Sequence, residues 1–151
     1  MKIYKTIIRP VITYPSETWT LTAKDVNNLR IFERQILRKI FGPVNIDNTW
    51  RIRNNMVIDK LIEGADIVRF IKAQRIKWLD HIQRMDQARP TGKILDWKPV
   101  GARPVGRPRQ RWQGDVMEDL KKLKRKNWKE TAKDRRTWRH LTEKAKTQKG
   151  L

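Results

Sequence analysis

The side chains of this chain that could do chemistry are mainly cationic. Residues 101–112 read GARPVGRPRQRW, and each proline fixes its own φ and disfavours helix in the residue before it. Guanidinium groups therefore project from an extended backbone, and a second basic run, KKLKRK, follows at 121–126. Both patterns favour contact with the phosphates of a nucleic acid. We expect these contacts from Arg103, Arg107, Arg109 and Arg111, then Lys121, Lys122, Lys124 and Arg125, with Arg75 and Lys77 as second choices.

The basic segments also have other interpretations. Gly106-Arg107-Pro108 resembles the core of an AT-hook, a minor-groove binder, although Val105 stands where such a core usually has Arg. The segment could also be a solvated linker, and the lysine run a nuclear-import signal or a solvated helix end. Phosphate contact without base readout is favoured over minor-groove insertion and over a passive linker.

The sequence offers little for catalysis or metal binding. It has no cysteine, which excludes disulfides, Cys/His zinc knuckles and thiol chemistry. His81 and His140 are far apart in sequence, and neither has a second His nearby, which argues against a metal site or a general base. Asp115 and Asp119 lie one helical turn apart, and a solvated, salt-bridged face explains them better than a metal site does. We therefore expect no catalytic residue, no metal site and no cofactor.

The composition indicates a polyanionic partner. The 151 residues include 36 Lys and Arg against 16 Asp and Glu, which gives a formal net charge of +20. Charge of this size usually serves a nucleic acid or an anionic membrane face. No apolar run reaches the roughly 18 residues that span a bilayer, and the N-terminus lacks the unbroken apolar segment of a signal peptide. We therefore expect DNA or RNA as the partner, no membrane contact and no secretion.

Four of the seven tryptophans have two possible roles. Trp78, Trp112, Trp128 and Trp138 fall on predicted helices beside Arg or Lys. Bases could stack on them in a single-strand binder. Their position on apolar helical stripes favours core packing instead.

The spacing of apolar residues predicts an all-α fold. Thr22 precedes Asp25 by three positions, as at the start of a capping box, and Gly42-Pro43 is predicted to end the helix that follows. Asn54-Asn55 offers an N-cap for a short helix that ends at Gly64. We expect no sheet. Two further helices are predicted at 3–14, with a kink at Pro10, and at 65–85. The last two are predicted from about 108 to 123 and from Asn127 to about 147, with Glu130 as the capping partner of Asn127.

The chain then divides into a helical bundle at 1–85, an extended basic linker at 86–111 and a C-terminal helical pair at 112–147.

Five stretches in one order resemble a known family. They are YPSETWTLT (14–22), LRIFERQILRKIFG (29–42), RIKWLDHIQRM (75–85), VGRPRQRWQGDVMEDL (105–120) and NWKETAKDRRTWRHL (127–141). Together they resemble the C-terminal portion of the endonuclease–reverse transcriptases of non-LTR retrotransposons, over nearly the whole chain. Pro15 and Asp80 each stand where the family usually has Gly.

The resemblance implies a role without catalysis. The bundle would be the thumb of an RNA-directed DNA polymerase, and the rest a C-terminal extension. The palm with its metal-binding aspartates would lie upstream in a longer polyprotein, and the endonuclease domain is absent from this stretch. Such a segment would grip template–primer duplex, RNA–DNA hybrid included. We expect synthesis in the cytoplasm and action in the nucleus. The alternative is a domesticated or decayed element product that acts as a protein-interaction module or has no function.

Overall fold

The computed structural model describes residues 1–63, 65–86, 89–97, 101, 106, 111–125, 127–148 and 150–151, which are mostly helical. A π-helical turn at Tyr4–Ile8 continues into α1 (Arg9–Ile12), and a 3-10 turn follows at Ser16–Thr18. The other elements are α2 (Ala23–Phe41), β1 (Val44–Ile46), β2 (Thr49–Arg51), α3 (Asn55–Leu61), α4 (Ile67–Arg84), α5 (Pro90–Asp96), α6 (Trp112–Lys122), α7 (Trp128–Lys133) and α8 (Arg135–Thr147). No helix within the described residues is long and apolar enough to cross a membrane.

Side-chain caps fix the starts of α2 and α3, as the sequence predicts. The Asp25 amide donates to Thr22 Oγ1 at 3.2 Å, and the Thr22 amide donates to Asp25 Oδ2 at 3.0 Å, so the capping box of α2 is complete. Gly42 ends α2 with a φ of +67°, in the left-handed region that favours glycine. The Val57 amide donates to Asn54 Oδ1 at 2.9 Å, which confirms the cap of α3.

The expectation of no sheet was wrong. Strands β1 and β2 pair antiparallel, with Val44 opposite Arg51 and Ile46 opposite Thr49. Asp47 and Asn48 form the turn with φ values of 50° and 58°, as a two-residue hairpin turn requires. Asn and Asp tolerate this conformation better than other non-glycine residues. The strands have three residues each, too few for apolar alternation to reveal them.

The stretch expected to be an extended linker contains a helix. Helix α5 begins at Pro90, where the missing amide costs no hydrogen bond, and Leu95 packs against the core beside α4. The expectation of extended chain is therefore wrong for Pro90–Asp96. Arg103, Arg107 and Arg109 lie outside the described residues.

The last predicted helix is two helices. Asn127 makes no side-chain capping bond within the described part of the chain, so the predicted cap with Glu130 is wrong. Asp134 interrupts the helix instead, with a φ of −98° and a ψ of 107°. Its carboxylate accepts the Arg136 amide at 2.9 Å and caps α8.

Helix α4 is central to the core. Its C-terminal half supplies Ala73, Ile76 and Leu79 to a buried cluster completed by α6, α7 and α8. Its first turn supplies Ile67 and Val68 to a second cluster with Leu21. A third buried cluster joins the N-terminal turn to α2 and α3: Tyr4, Leu37, Ile58 and Ile62. The C-terminal helices and the segment before α2 therefore pack on the same helix, α4, through separate buried clusters.

Two ion pairs cross from α4 to α6. Lys72 Nζ lies 2.8 Å from Asp119 Oδ1, and Arg75 Nη2 lies 3.3 Å from Asp115 Oδ2. Asp119 is 3% exposed. The expectation that these two aspartates belong to a solvated face is therefore wrong, because that face of α6 packs against α4.

Glu33 ties three elements together beneath the start of α4. Tyr4 Oη donates to Glu33 Oε1 at 2.5 Å, and the Ile67 amide donates to Oε2 at 3.1 Å. Burial raises the pKa of Glu33, although the hydrogen bonds from Tyr4 and Ile67 oppose the shift. The carboxyl group thus positions α4 against α2 and the N-terminal turn.

The predicted helical face at 3–14 is largely in solvent. Ile3, Ile7, Val11 and Tyr14 are between 60% and 81% exposed and recur at helical spacing. Tyr4 enters the core at 1% exposure, and the partly buried Ile8 and Ile12 pack against two of the buried clusters.

Candidate nucleic-acid interface

A groove of about 780 Å³ runs between α4 and α8. Arg69 near the start of α4 donates to the carbonyl of Thr147 at the end of α8, at 3.4 Å, and Trp138 Nε1 donates to the carbonyl of Ile76 at 3.2 Å. The two helices are therefore antiparallel, and each presents one face to the groove.

Cations outnumber carboxylates along the walls of this groove. Arg84 lies 2.5 Å from Asp80, and Lys146 lies 2.6 Å from Glu143, so these four charges are paired. No ion pair within the described residues engages the other three cations. The lining residues that carry charge are Lys77, Arg84, Arg135, Arg139 and Lys146, with Glu17, Asp80 and Glu143.

Asp80 lies at the base of the groove and is 4% exposed. Burial raises its pKa, while Arg84 and Arg135 oppose the shift. Asp80 therefore anchors Arg84 at one end of the groove.

An aromatic pair lies among these cations. The rings of Trp78 and His81 have centroids 5.0 Å apart and planes inclined at 36°. Both line the groove; Trp78 is half-buried and His81 is exposed. An exposed imidazole beside an indole offers a flat surface to an incoming ring.

The other tryptophans divide between the core and the surface. Trp138 is 1% exposed and belongs to the core, which confirms the expectation for that residue. Trp112 and Trp128 are half-buried and pack against the same cluster. Trp50 and Trp97, which the sequence did not single out, are 68% and 64% exposed.

A second cationic surface lies where α6 ends. Lys121, Lys122, Lys124 and Arg125 are all exposed there, and we call them the α6-end patch. Lys124 adopts a left-handed φ of 57°, while the Arg125 amide donates to the carbonyl of Leu120 at 3.1 Å and closes the helix. Gln148 Nε2 donates to the carbonyl of Lys122 at 3.1 Å, which brings the patch near the Lys146 end of the groove.

The predicted phosphate-binding residues have different surroundings. Arg111 and the α6-end patch are exposed, and Lys77 lines the groove. Arg75 is 1% exposed and pairs with Asp115, so the expectation that it faces a ligand is corrected. Helix α6 covers the face of α4 on which Arg75 lies.

The sequence reasoning missed four groove cations: Arg84, Arg135, Arg139 and Lys146. Arg135, Arg139 and Lys146 lie at i, i+4 and i+11 of α8, on one helical face, and this spacing is a signal that could have found them. Their convergence with Lys77 depends on α4 and α8 packing together, which no local pattern reveals. Within the described residues, no group of three His, Asp or Glu side chains is arranged to hold a metal ion.

Comparison with known proteins gives one relative. The chain is 25% identical over 144 residues to a Caenorhabditis elegans protein named as transposon-derived, and the match covers 91% of this chain and 52% of the relative. The chain thus spans about half the length of that protein. No protein-family model and no solved structure matches the present chain. The relationship supports a transposon-related origin for this chain.

Proposed function

We propose that this chain is the non-catalytic, nucleic-acid-binding thumb segment of a non-LTR retrotransposon reverse transcriptase. It grips template–primer duplex through the phosphate backbone. The observation that carries this proposal is the convergence of Lys77, Arg135 and Arg139 on one groove, in a chain with a net charge of +20. Within the described residues, none of the three forms a direct ion pair, although Arg135 interacts with the buried Asp80 and counteracts the rise in its pKa.

Charge accumulation of this kind favours a polyanion. Like charges on a compact chain repel one another, and a phosphate ribbon relieves that repulsion. Binding also releases the counterions condensed on the nucleic acid, which drives association at low salt. The contact would use shape and charge rather than base edges.

The acidic residues support a role without catalysis. Two-metal polymerase chemistry needs carboxylates that converge on the metal ions. The sequence has no adjacent aspartate pair, and Asp115 and Asp119 are engaged with cations of α4. A primer-extension assay with Mg²⁺ should show no incorporation by this chain alone.

Salt dependence tests the proposal directly. Each phosphate neutralised contributes about −0.9 to the slope of log K against log salt on duplex DNA. Affinity for duplex DNA and for RNA–DNA hybrid should therefore fall steeply as salt rises. A slope near zero on both substrates would contradict the proposal.

A matched pair of triple variants locates the contact. Lys77, Arg135 and Arg139→Ala together remove three groove cations, and we expect at least a tenfold loss of affinity with a shallower salt slope. The control is Lys24, Lys39 and Arg136→Ala, which removes the same charge from exposed positions outside the groove. Equal losses in the two variants would mean that binding follows net charge and not the groove.

The alternative of a protein-interaction module is favoured by the exposed apolar row at the N-terminus. Ile3, Ile7, Val11 and Tyr14 form a surface that a partner could cover. Under that alternative, the purified chain would ignore oligonucleotides at low salt, and Val11→Lys would abolish a protein contact. Nucleic-acid binding that survives Val11→Lys would set the alternative aside.

A further inference from the structure

We propose that the groove between α4 and α8 holds an unpaired nucleotide of the bound strand, with its base against His81 and Trp78. This inference rests on the nucleic-acid binding proposed above and adds the class of ligand that occupies one site. The duplex then lies against the exposed cations at the rim of the groove, and the groove itself takes the single-stranded segment beside it.

The size of the groove fits this ligand. Its volume of about 780 Å³ lies within the range of about 300–1,000 Å³ found for pockets that hold small molecules. A nucleotide is a ligand of that class, whereas a double helix is far too wide to enter. A duplex must therefore contact the exposed Lys77, Arg135 and Arg139 from the rim of the groove, together with the α6-end patch.

The charges of the groove are arranged for a phosphate in its middle. Asp80 and Glu143 are neutralised by Arg84 and Lys146 at 2.5 Å and 2.6 Å, so these carboxylates repel a phosphate less than free ones would. Arg135 and Arg139 lie one turn apart on α8, and Lys77 faces the same groove from α4. A strand laid along the groove would meet these three cations with its backbone.

The aromatic pair Trp78 and His81 supplies a surface on which a base can stack, which the cations alone do not provide. His81 is exposed, and its ring centroid lies 5.0 Å from that of the half-buried Trp78. Single-strand binders combine a cationic groove with aromatic rings on which bases stack, because every base has a flat π-face. A paired base is already stacked within its duplex, so the surface selects unpaired bases.

The test uses oligonucleotides that carry one 2-aminopurine, whose fluorescence falls when the base stacks. Wild-type protein should quench the probe in a single strand. His81→Ala should remove the quenching and weaken single-strand binding at least about fivefold, the low end expected for one lost base stack. Duplex binding should change less than twofold. Trp78→Phe keeps an aromatic ring and should retain most of the quenching.

The matched control is His140→Ala, an exposed histidine on α8 that does not line the groove. It should behave as wild type in both measurements. The inference is overturned if His81→Ala behaves like His140→Ala, if it weakens single-strand and duplex binding equally, or if polyglutamate competes as well as oligothymidine. A failure of the proposed function is distinguishable, because then neither strand form binds at low salt.

Discussion

Trp112 Nε1 donates a hydrogen bond of 2.6 Å to the backbone carbonyl of Glu17, across 95 positions of sequence. The indole at the start of α6 thereby holds the 3-10 turn Ser16–Thr18, which itself packs against α4. Two of the five stretches behind the family resemblance therefore meet in space. Trp112 therefore stabilises the turn at Ser16–Thr18 through this hydrogen bond.

This contact predicts a measurable loss of stability. Trp112→Phe keeps an aromatic ring but removes the donor, and the Glu17 carbonyl loses its partner. We expect the free energy of unfolding to fall by about 1–2 kcal/mol, measured by urea denaturation. Trp97→Phe changes a tryptophan that is 64% exposed and should shift stability by less than about 0.5 kcal/mol. Equal effects would mean that the bond to Glu17 contributes nothing.

Glu33 predicts a pH dependence of stability. Burial holds the pKa of its carboxyl above the usual value in the folded chain. The folded state therefore binds this proton more tightly than the unfolded state does. The contribution of Glu33 to stability is greatest below the unfolded pKa of about 4.3 and falls as pH rises through the folded value.

Glu33→Gln removes this titration while leaving groups that can bond to the Tyr4 hydroxyl and the Ile67 amide. The variant should therefore gain stability relative to wild type between pH 4 and pH 7. Urea unfolding at both pH values measures the change. Parallel pH profiles for the two proteins would sink the prediction.

The buried pair between α4 and α6 predicts a larger loss. Asp119→Ala leaves Lys72 without its partner in a site that is mostly enclosed, with Lys72 13% exposed. Removing one partner of such a pair costs about 3 kcal/mol, the low end of the usual range. Thermal unfolding followed by circular dichroism measures it.

The control for that variant is Glu118→Ala on the same helix. Glu118 pairs with Lys122 at 3.4 Å, but its side chain is 69% exposed. An exposed pair of this kind contributes about 0–1 kcal/mol. If Glu118→Ala were as damaging as Asp119→Ala, burial would not explain the effect.

The two capping sites predict opposite outcomes for similar substitutions. Thr22→Ala breaks the capping box of α2 and should cost about 1 kcal/mol of stability. Asn127→Ala should cost much less, because Asn127 makes no side-chain capping bond within the described residues. Guanidinium denaturation of both variants compares them. A large loss from Asn127→Ala would restore the cap that the sequence predicted.

The Arg/Pro stretch carries a prediction that stands on its sequence alone. Arg103, Arg107 and Arg109→Ala together should weaken nucleic-acid binding without changing helix content, because each arginine is adjacent to Pro104 or Pro108 in a stretch where helix is disfavoured. Fluorescence anisotropy and circular dichroism measure the two properties. Unchanged affinity would make the segment a simple tether.

The parts of the fold that sequence reasoning predicted are those fixed by local bonds. Thr22, Gly42 and Asn54 set helix ends through partners within a few residues, and each was assigned correctly. The hairpin at 44–51 was missed because three-residue strands carry no periodic signal. The break at Asp134 was missed because the apolar spacing runs through it unchanged.

The candidate site was predicted less well, because accessibility is decided by packing. Arg75 and Lys77 are two positions apart on α4, and the sequence treated them alike. About 200° of helical rotation separates them, so α6 covers Arg75 while Lys77 opens into the groove beside α8.

The sequence by itself therefore determined the helical character of the chain, its main helix ends and its large positive charge. Each of these depends on composition or on residues within one or two turns of one another. Only the tertiary structure decided which cations remain free to meet a ligand and that Trp78 and His81 lie among them. That outcome depends on how α6 and α8 pack against α4, through contacts such as Trp138 to Ile76 that join residues 62 positions apart.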